Sequence, residues 1–221
     1  VFYTRRNACY IDTARKLIEA FPESDRPYFL APLLVEASIH TNTSGVFKGF
    51  YKNRANGTGR FGGTNANALS RIQSPISLPF PVWGCHAPEV QIFQKDANAL
   101  AREMGPVDIV YLDPPYNQHP YGSNYFMLNV IAEYNIKSPL SPVSGIPADW
   151  NRSAYNSRAT AFDALIDLVE NAEASFVLLS FNNEGFVPKE KLESALGKLG
   201  SLETLEKDYP AYSASRNLRS R

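Results

Sequence analysis

Two short apolar runs constrain this chain more than anything else in it. Val107–Leu112 (VDIVYL) and Phe176–Phe181 (FVLLSF) are six residues each and rich in Val, Ile, Leu and aromatics. Runs of that length and content suit strands covered on both faces, the usual condition of a parallel sheet. Val90–Phe93 reads as a third, shorter strand. Helical patterns lie between them. Ala97–Met104 joins the first two strands and stops at Gly105-Pro106, while Thr160–Ala172 carries Phe162, Leu165, Ile166 and Val169 in one stripe. Pro188–Leu199 has its proline where a first helical turn accepts one. Near the start, Asn7 is suited to cap a helix whose Tyr10, Ala14, Leu17 and Phe21 share a face and which Pro22 ends. Alternating strands and helices predict an α/β fold with a largely parallel sheet.

Charge narrows the partners. The chain has 22 basic and 22 acidic side chains and a formal net charge of zero, which excludes coating of nucleic acid by bulk charge. The balance is not uniform. Residues 41–88 contain Lys48, Lys52, Arg54, Arg60 and Arg71 and no acidic residue, interleaved with Phe47, Phe50, Tyr51 and Phe61. A local basic stretch with aromatics suits phosphate contact and groove insertion. Residues 136–158 form a second polar loop, with Pro139, Pro142 and Pro147. Long loops of this kind in a compact domain are commonly functional.

Several chemistries find no support. Two cysteines, Cys9 and Cys85, are too few for a disulfide framework or a zinc site, and His40, His86 and His119 lack ligand spacing. The run Gly57–Gly62 matches G-x-G-x-x-G, but no apolar strand precedes it and the next acidic residue is Glu89. The longest apolar run, Tyr28–Val35, is eight residues and contains Pro32, too short to span a membrane. No signal-like segment follows Val1, and a cytoplasmic protein, represented by part of its chain, is expected.

The segment that carries chemistry is Asp113-Pro114-Pro115-Tyr116, directly after VDIVYL. Ligands of open α/β sheets bind at the carboxyl ends of the strands. A residue before proline is pushed toward extended backbone, so Asp113 and Pro114 are both kept out of helix. Neither proline has an N–H to donate, so the carbonyls of Asp113 and Pro114 are available as acceptors. Acceptors beside an aromatic ring suit a planar group bearing an NH2. Its protons meet the Asp113 carboxylate and the Pro114 carbonyl, and Tyr116 stacks on its face. Tyr121, Tyr125 or Phe126 is a candidate second wall. Asp96, after the run VQIFQ, suits the cap of the helix that follows it.

Asp113–Tyr116 resembles the DPPY catalytic motif of adenine-specific DNA methyltransferases. The surrounding stretch 111–135, with 2–19, 93–100 (FQKDANAL) and 178–185 (LLSFNNEG), is similar to the Dam-like, alpha-class branch of that family. The resemblance implies a partial Rossmann-like, S-adenosylmethionine-dependent methyltransferase sheet with a DNA-facing insertion. It also implies methyl transfer from that cofactor to the 6-amino group of a flipped adenine in double-stranded DNA, within a restriction–modification system that includes a cognate endonuclease. On this resemblance Asp113, Pro114, Pro115 and Tyr116 are catalytic, and Asp96, the Ala97 backbone and Asp113 contact the cofactor. Lys48, Lys52, Arg54, Arg60, Tyr121, Tyr125, Arg216 and Arg219 contact DNA, and no metal is needed. The implied organisation is a helical segment at 1–40, a DNA-facing insertion at 41–88 and a catalytic core at 89–221. The branch also has a Phe-x-Gly-x-Gly turn and a following acidic residue ahead of the matched region. The 221 residues contain neither, and weak or absent cofactor binding by them alone is expected. The competing expectation is a non-catalytic DNA-binding or assembly subunit that needs a partner.

Overall fold

The computed structural model describes residues 1–43, 61–63, 66–85, 88–136, 138–141, 146–147 and 149–208. They form a mixed helix and strand structure with a small parallel sheet. Eight helices are described: α1 (Arg5–Glu19), α2 (Arg26–Ile39), α3 (Leu69–Gln73), α4 (Ala97–Glu103), α5 (Tyr121–Asn124), α6 (Phe126–Glu133), α7 (Ala161–Asn171) and α8 (Lys189–Leu196). The strands are β1 (Val107–Leu112) and β2 (Ala174–Leu179), and a 3-10 turn covers Ala154–Asn156. The chain divides into two compact units. The first takes in the described residues of 1–87 and 121–150, and the second those of 88–120 and 151–208.

The helical unit is built around α1, and here the expected cap and stripe are corrected. Thr4 is the N-cap, its hydroxyl accepting from Asn7 N at 3.1 Å. The buried face is Asn7, Ile11, Arg15 and Ile18, whereas Tyr10, Leu17 and Phe21 are exposed. The hydroxyl cap three residues earlier leaves Asn7 inside the helix, where its side chain satisfies a neighbouring segment. Asn7 Nδ2 donates to Ile72 O and Ser74 O at 3.3 and 3.0 Å, and its Oδ1 accepts from Ile76 N at 3.4 Å. Arg15 does related work. It donates to Ile131 O (2.8 Å) and Ala132 O (3.0 Å), carbonyls of the last turn of α6 that have no helical donor. Its positive charge also sits where the helix dipole favours a cation. The apolar core between these anchors is Ile11, Ile18, Leu33, Ala37, Ile76 and Ile131. Asn42, almost fully buried, closes the unit by donating to Val1 O at 2.8 Å and accepting from Gly62 N at 3.1 Å.

In the second unit β1 and β2 pair in parallel, with Ile109 opposite Phe176, Tyr111 opposite Leu178 and Leu112 opposite Leu179. One face of the pair meets a core of Tyr155, Leu165, Leu168, Val187 and Leu192, against which Leu112, Leu179 and Phe181 pack. The other face presents Ile109, Tyr111, Phe176 and Leu178 outward. β2 begins and ends two residues earlier than expected, because the ladder starts at Val107–Ala174 and β1 ends at Leu112. Ser180 N closes the ladder onto Leu112 O at 2.9 Å, and Phe181 turns into the core.

The expected strand at Val90–Phe93 is not formed. Those residues are irregular and Ile92 is 89 % exposed. Apolar content supplies no partner, and a strand exists only where a neighbouring backbone takes up its hydrogen bonds. The helix at Ala97–Glu103 agrees with expectation, as do α7 and α8 to within a few residues at their ends. α2, α3, α5 and α6 were not legible in the periodicity. α2 even contains Pro32, which forgoes one helical hydrogen bond.

Candidate active site

Parallel pairing decides where the chemistry can sit. β1 and β2 run the same way, so the segments that follow Leu112 and Leu179 emerge at the same end of the sheet. α4 leads into β1 and α7 into β2 through two- to three-residue connections, so both helices run opposite to the strands and start toward that end. Asp96, Asp113–Tyr116, the 3-10 turn at Ala154–Asn156 and the segment 180–186 are thereby collected at one edge of the second unit.

The Asp113–Tyr116 segment is held from several sides. Pro114 is buried, Pro115 and Tyr116 are half-buried, and Asp113 is exposed. Phe186 N donates to Tyr116 O at 2.9 Å, and Asn156 Nδ2 donates to Asn117 O at 2.8 Å. Asn117 folds back on itself, its Oδ1 accepting from His119 N at 3.0 Å. The Tyr116 ring meets the edge of Phe181 with centroids 6.4 Å apart. Phe181 in turn lies so close to Gly185 that a Cβ there would stand 2.6 Å from its Cε1. Among the described residues, nothing donates to the Asp113 carboxylate or the Pro114 carbonyl. The loop is fixed while its two candidate acceptors stay uncommitted, which is what a preorganised site for an amine requires.

Asp96 is the N-cap of α4, its Oδ1 accepting from Ala99 N at 3.0 Å, with Ala97 the first helical residue. The capping reading of Asp96 is therefore realised, and among the described residues its second oxygen carries no further bond. Two residues further on, Asn98 anchors α4. Its Nδ2 donates to Ala164 O at 2.8 Å and to Asp167 Oδ2 at 2.6 Å, and its Oδ1 accepts from Tyr155 OH at 2.6 Å. Arg102 adds an ion pair to Asp167. The Asn98 and Arg102 hydrogen bonds hold the Asp167 carboxyl below its usual range. Burial, with the charges of Asp96 and Asp167, pushes the Tyr155 phenol up to about 12, so it stays a donor through neutral pH.

The residues expected to face DNA fare unequally. Tyr121 and Tyr125 belong to the helical unit, where both rings are exposed and tilted against each other with centroids 5.6 Å apart. Lys48, Lys52, Arg54, Arg60, Arg216 and Arg219 lie outside the described residues. Arg71, the fifth basic residue of the acid-free stretch, is engaged at the end of α2. It donates to Ile39 O, and its own carbonyl accepts from His40 Nδ1. Among the described residues, no group of three His, Cys, Asp or Glu side chains could hold a metal, and no helix is long and apolar enough to cross a membrane.

The sequence reading did not single out Tyr155, Asn156, Asn98, Phe181 or Gly185. Asn98 falls inside the segment FQKDANAL, and Phe181 and Gly185 inside LLSFNNEG, but none of the three carried a role there. A Tyr-Asn pair in a polar loop has no periodicity to draw attention to it.

Residues 1–141 match the family model for the D12 class of N6 adenine-specific DNA methyltransferases. This chain belongs to that family. The D12 match includes both α1 and the Asp113–Tyr116 loop. Among D12-related curated proteins, the Type II methyltransferase M.NlaIII of Neisseria lactamica is 29 % identical over 97 % of this chain. The Type II methyltransferase M.CviAII of Paramecium bursaria Chlorella virus 1 is 27 % identical over 97 % of it. The modification methylase StsI of Streptococcus sanguinis is 29 % identical over 86 %. The chain spans 61 % of the length of the first two relatives and 28 % of the third. No solved structure matches it.

Proposed function

We propose that this chain carries the catalytic and target-recognition parts of a site-specific DNA adenine methyltransferase of a restriction–modification system, acting in the cytoplasm. The observation that carries the reading is the braced Asp113–Tyr116 loop at the carboxyl end of β1, with the Asp113 carboxylate and the Pro114 carbonyl unclaimed among the described residues. The matched family and the names of the relatives support the same substrate. In this reading the parallel pair and its helical layer are part of a Rossmann-like methyltransferase sheet. Residues 1–40 join the core to the recognition region, 41–88 is the DNA-facing insertion and 89–221 the catalytic core.

The residues present fit S-adenosylmethionine, a group bearing a positive sulfonium and an adenine. Among the described residues Asp113 is uncommitted and Asp96 spends one oxygen on its helix, which leaves a negative charge for the sulfonium part and a hydrogen-bond acceptor for the adenine amine. Asp96, the Ala97 backbone and Asp113 would hold it. When bound, it supplies an electrophilic methyl group and leaves as a neutral thioether.

The chain's own part is positioning. The amino nitrogen of adenine is a poor nucleophile because its lone pair is delocalised into the ring. The Asp113 carboxylate and the Pro114 carbonyl accept its two N–H bonds, which draws the nitrogen toward pyramidal geometry and frees the lone pair. The same oxygens stabilise the positive charge that develops on nitrogen as the new bond forms, and one of the two N–H protons then leaves by way of the Asp113 carboxylate to solvent, giving the neutral N6-methyl amine. Tyr116 stacks on the base, with Phe181 behind it. Extrusion of the base from the duplex costs a few kcal/mol, offset by this stacking and hydrogen bonding. Lys48, Lys52, Arg54, Arg60, Arg216 and Arg219 would supply phosphate contacts, in step with a cognate endonuclease that reads the same site.

Transfer of labelled methyl groups to unmethylated duplex DNA tests the reading. Asp113→Ala in the full-length protein is expected to lower incorporation by on the order of 100- to 1000-fold while leaving thermal unfolding unchanged. A variant as active as the wild type would overturn the assignment. Absence of incorporation by the wild type would favour a non-catalytic DNA-binding subunit.

A further inference from the structure

One short turn touches both of the segments to which the proposed function gives chemistry. Ala154–Asn156 is a 3-10 turn in the polar loop ahead of α7, with the Ser153 hydroxyl accepting from Tyr155 N at its start. Tyr155 is 6 % exposed and reaches inward, its OH donating to Asn98 Oδ1 at 2.6 Å. Asn98 is two residues beyond Asp96 and is fastened to α7 through Ala164 O and Asp167. Asn156 reaches the other way, its Nδ2 donating to Asn117 O at 2.8 Å, one residue beyond Tyr116. Adjacent residues therefore grip the start of α4 and the end of the Asp113–Tyr116 loop. Thr160 secures the turn to the start of α7, its hydroxyl donating to Ala154 O at 2.7 Å.

We propose that Tyr155 and Asn156 are positioning residues that hold the cofactor-side segment at Asp96 and the base-side segment at Asp113–Tyr116 in fixed register. This rests on the assignment of those two segments above. Two separate groups must converge to about an ångström for group transfer, and a misplacement of that size can cost 100-fold. β1 and the residues between α4 and β1 join the two segments covalently, but Gly105 and Pro106 in that connection donate no described hydrogen bond that would fix it. The side-chain clamp supplies a second, direct tie.

The two arms predict separable defects. In the full-length protein, Tyr155→Phe removes the bond to Asn98, together with a longer one of 3.3 Å to Ala164 O, and is expected to raise KM for S-adenosylmethionine about five- to tenfold with kcat within about twofold. Asn156→Ala removes the bond to Asn117 and is expected to lower kcat by about the same factor with that KM unchanged. Amide hydrogen exchange gives a readout that needs no activity. Tyr155→Phe should speed exchange at Ala99 and Leu100, and Asn156→Ala at His119 and Phe186. Asn156→Asp, which keeps the shape but loses the donor, should match Asn156→Ala.

Parallel changes in both constants for both variants, with no crossed exchange pattern, would mean a merely structural turn and overturn the proposal. Unchanged constants and exchange in both variants would overturn it as well. A crossed exchange pattern in a protein that transfers no methyl group would instead leave the clamp standing and remove the function assigned to the segments it joins.

Discussion

The two units of this chain use buried polar side chains for different ends. In the helical unit, Asn7, Arg15 and Asn42 satisfy backbone groups of segments far away in sequence: 72–76, 131–132, and 1 with 62. They hold architecture together where helices of uneven length leave orphan carbonyls and amides. In the second unit the same chemistry, in buried Tyr155 and half-buried Asn98 and Asn156, gathers around segments whose own acceptors are unclaimed among the described residues. The lesson is that a buried asparagine is informative by what surrounds it. Where its bonds end on a helix terminus or a strand-like segment, it stabilises. Where they end beside an uncommitted carboxylate, it positions.

That contrast can be broken by substitution. The largest stability effect is expected from Asn7→Ala, which strands Ile72 O, Ser74 O and Ile76 N in a buried place and should cost about 3 kcal/mol in urea unfolding. At a temperature where the variant remains folded, its methyl-transfer constants should be unchanged.

Gly185→Ala should act the other way round. The added methyl drives into Phe181 and the Asn182 carbonyl, which costs about 1–2 kcal/mol and tilts the ring that backs Tyr116. Its activity should fall further than its stability accounts for, measured as kcat at saturating DNA and cofactor.

The smallest effect concerns Asp167. Its carboxyl lies below the ordinary value of 3.8 because Asn98 and Arg102 bind the charged form. A lowered folded-state value means that its stabilisation is present above the ordinary carboxylate range and is lost as the pH falls through and below it. Asp167→Asn should therefore narrow the gap between unfolding midpoints at pH 7 and pH 3 without changing the midpoint slope in urea.

The parallel pair and the loop after it were legible in sequence because their signals are local. VDIVYL is apolar at nearly every position and Asp113-Pro114-Pro115-Tyr116 restricts its own backbone. Asp96 was legible as a cap for the same reason. What escaped depends on distant partners. Tyr10, Leu17 and Phe21 share a helical face as clearly as Asn7, Ile11 and Ile18 do, and only the packing of Ile72–Ile76 and α6 against α1 decides between the two. Val90–Phe93 has strand composition but no neighbour to pair with among the described residues. Tyr155 and Asn156 sit in a loop whose composition is ordinary, and their meaning lies in the two segments they touch.

The central claim is that the Asp113–Tyr116 loop holds the exocyclic amine of adenine. Unmethylated duplex DNA incubated with the full-length protein and S-adenosylmethionine, then digested to nucleosides and weighed by mass spectrometry, tests it most directly. N6-methyladenine is expected as the only new nucleoside, reduced on the order of 100- to 1000-fold when Asp113 is replaced by Ala. Methylated cytosine, or N6-methyladenine formed by Asp113→Ala at the wild-type rate, would contradict it.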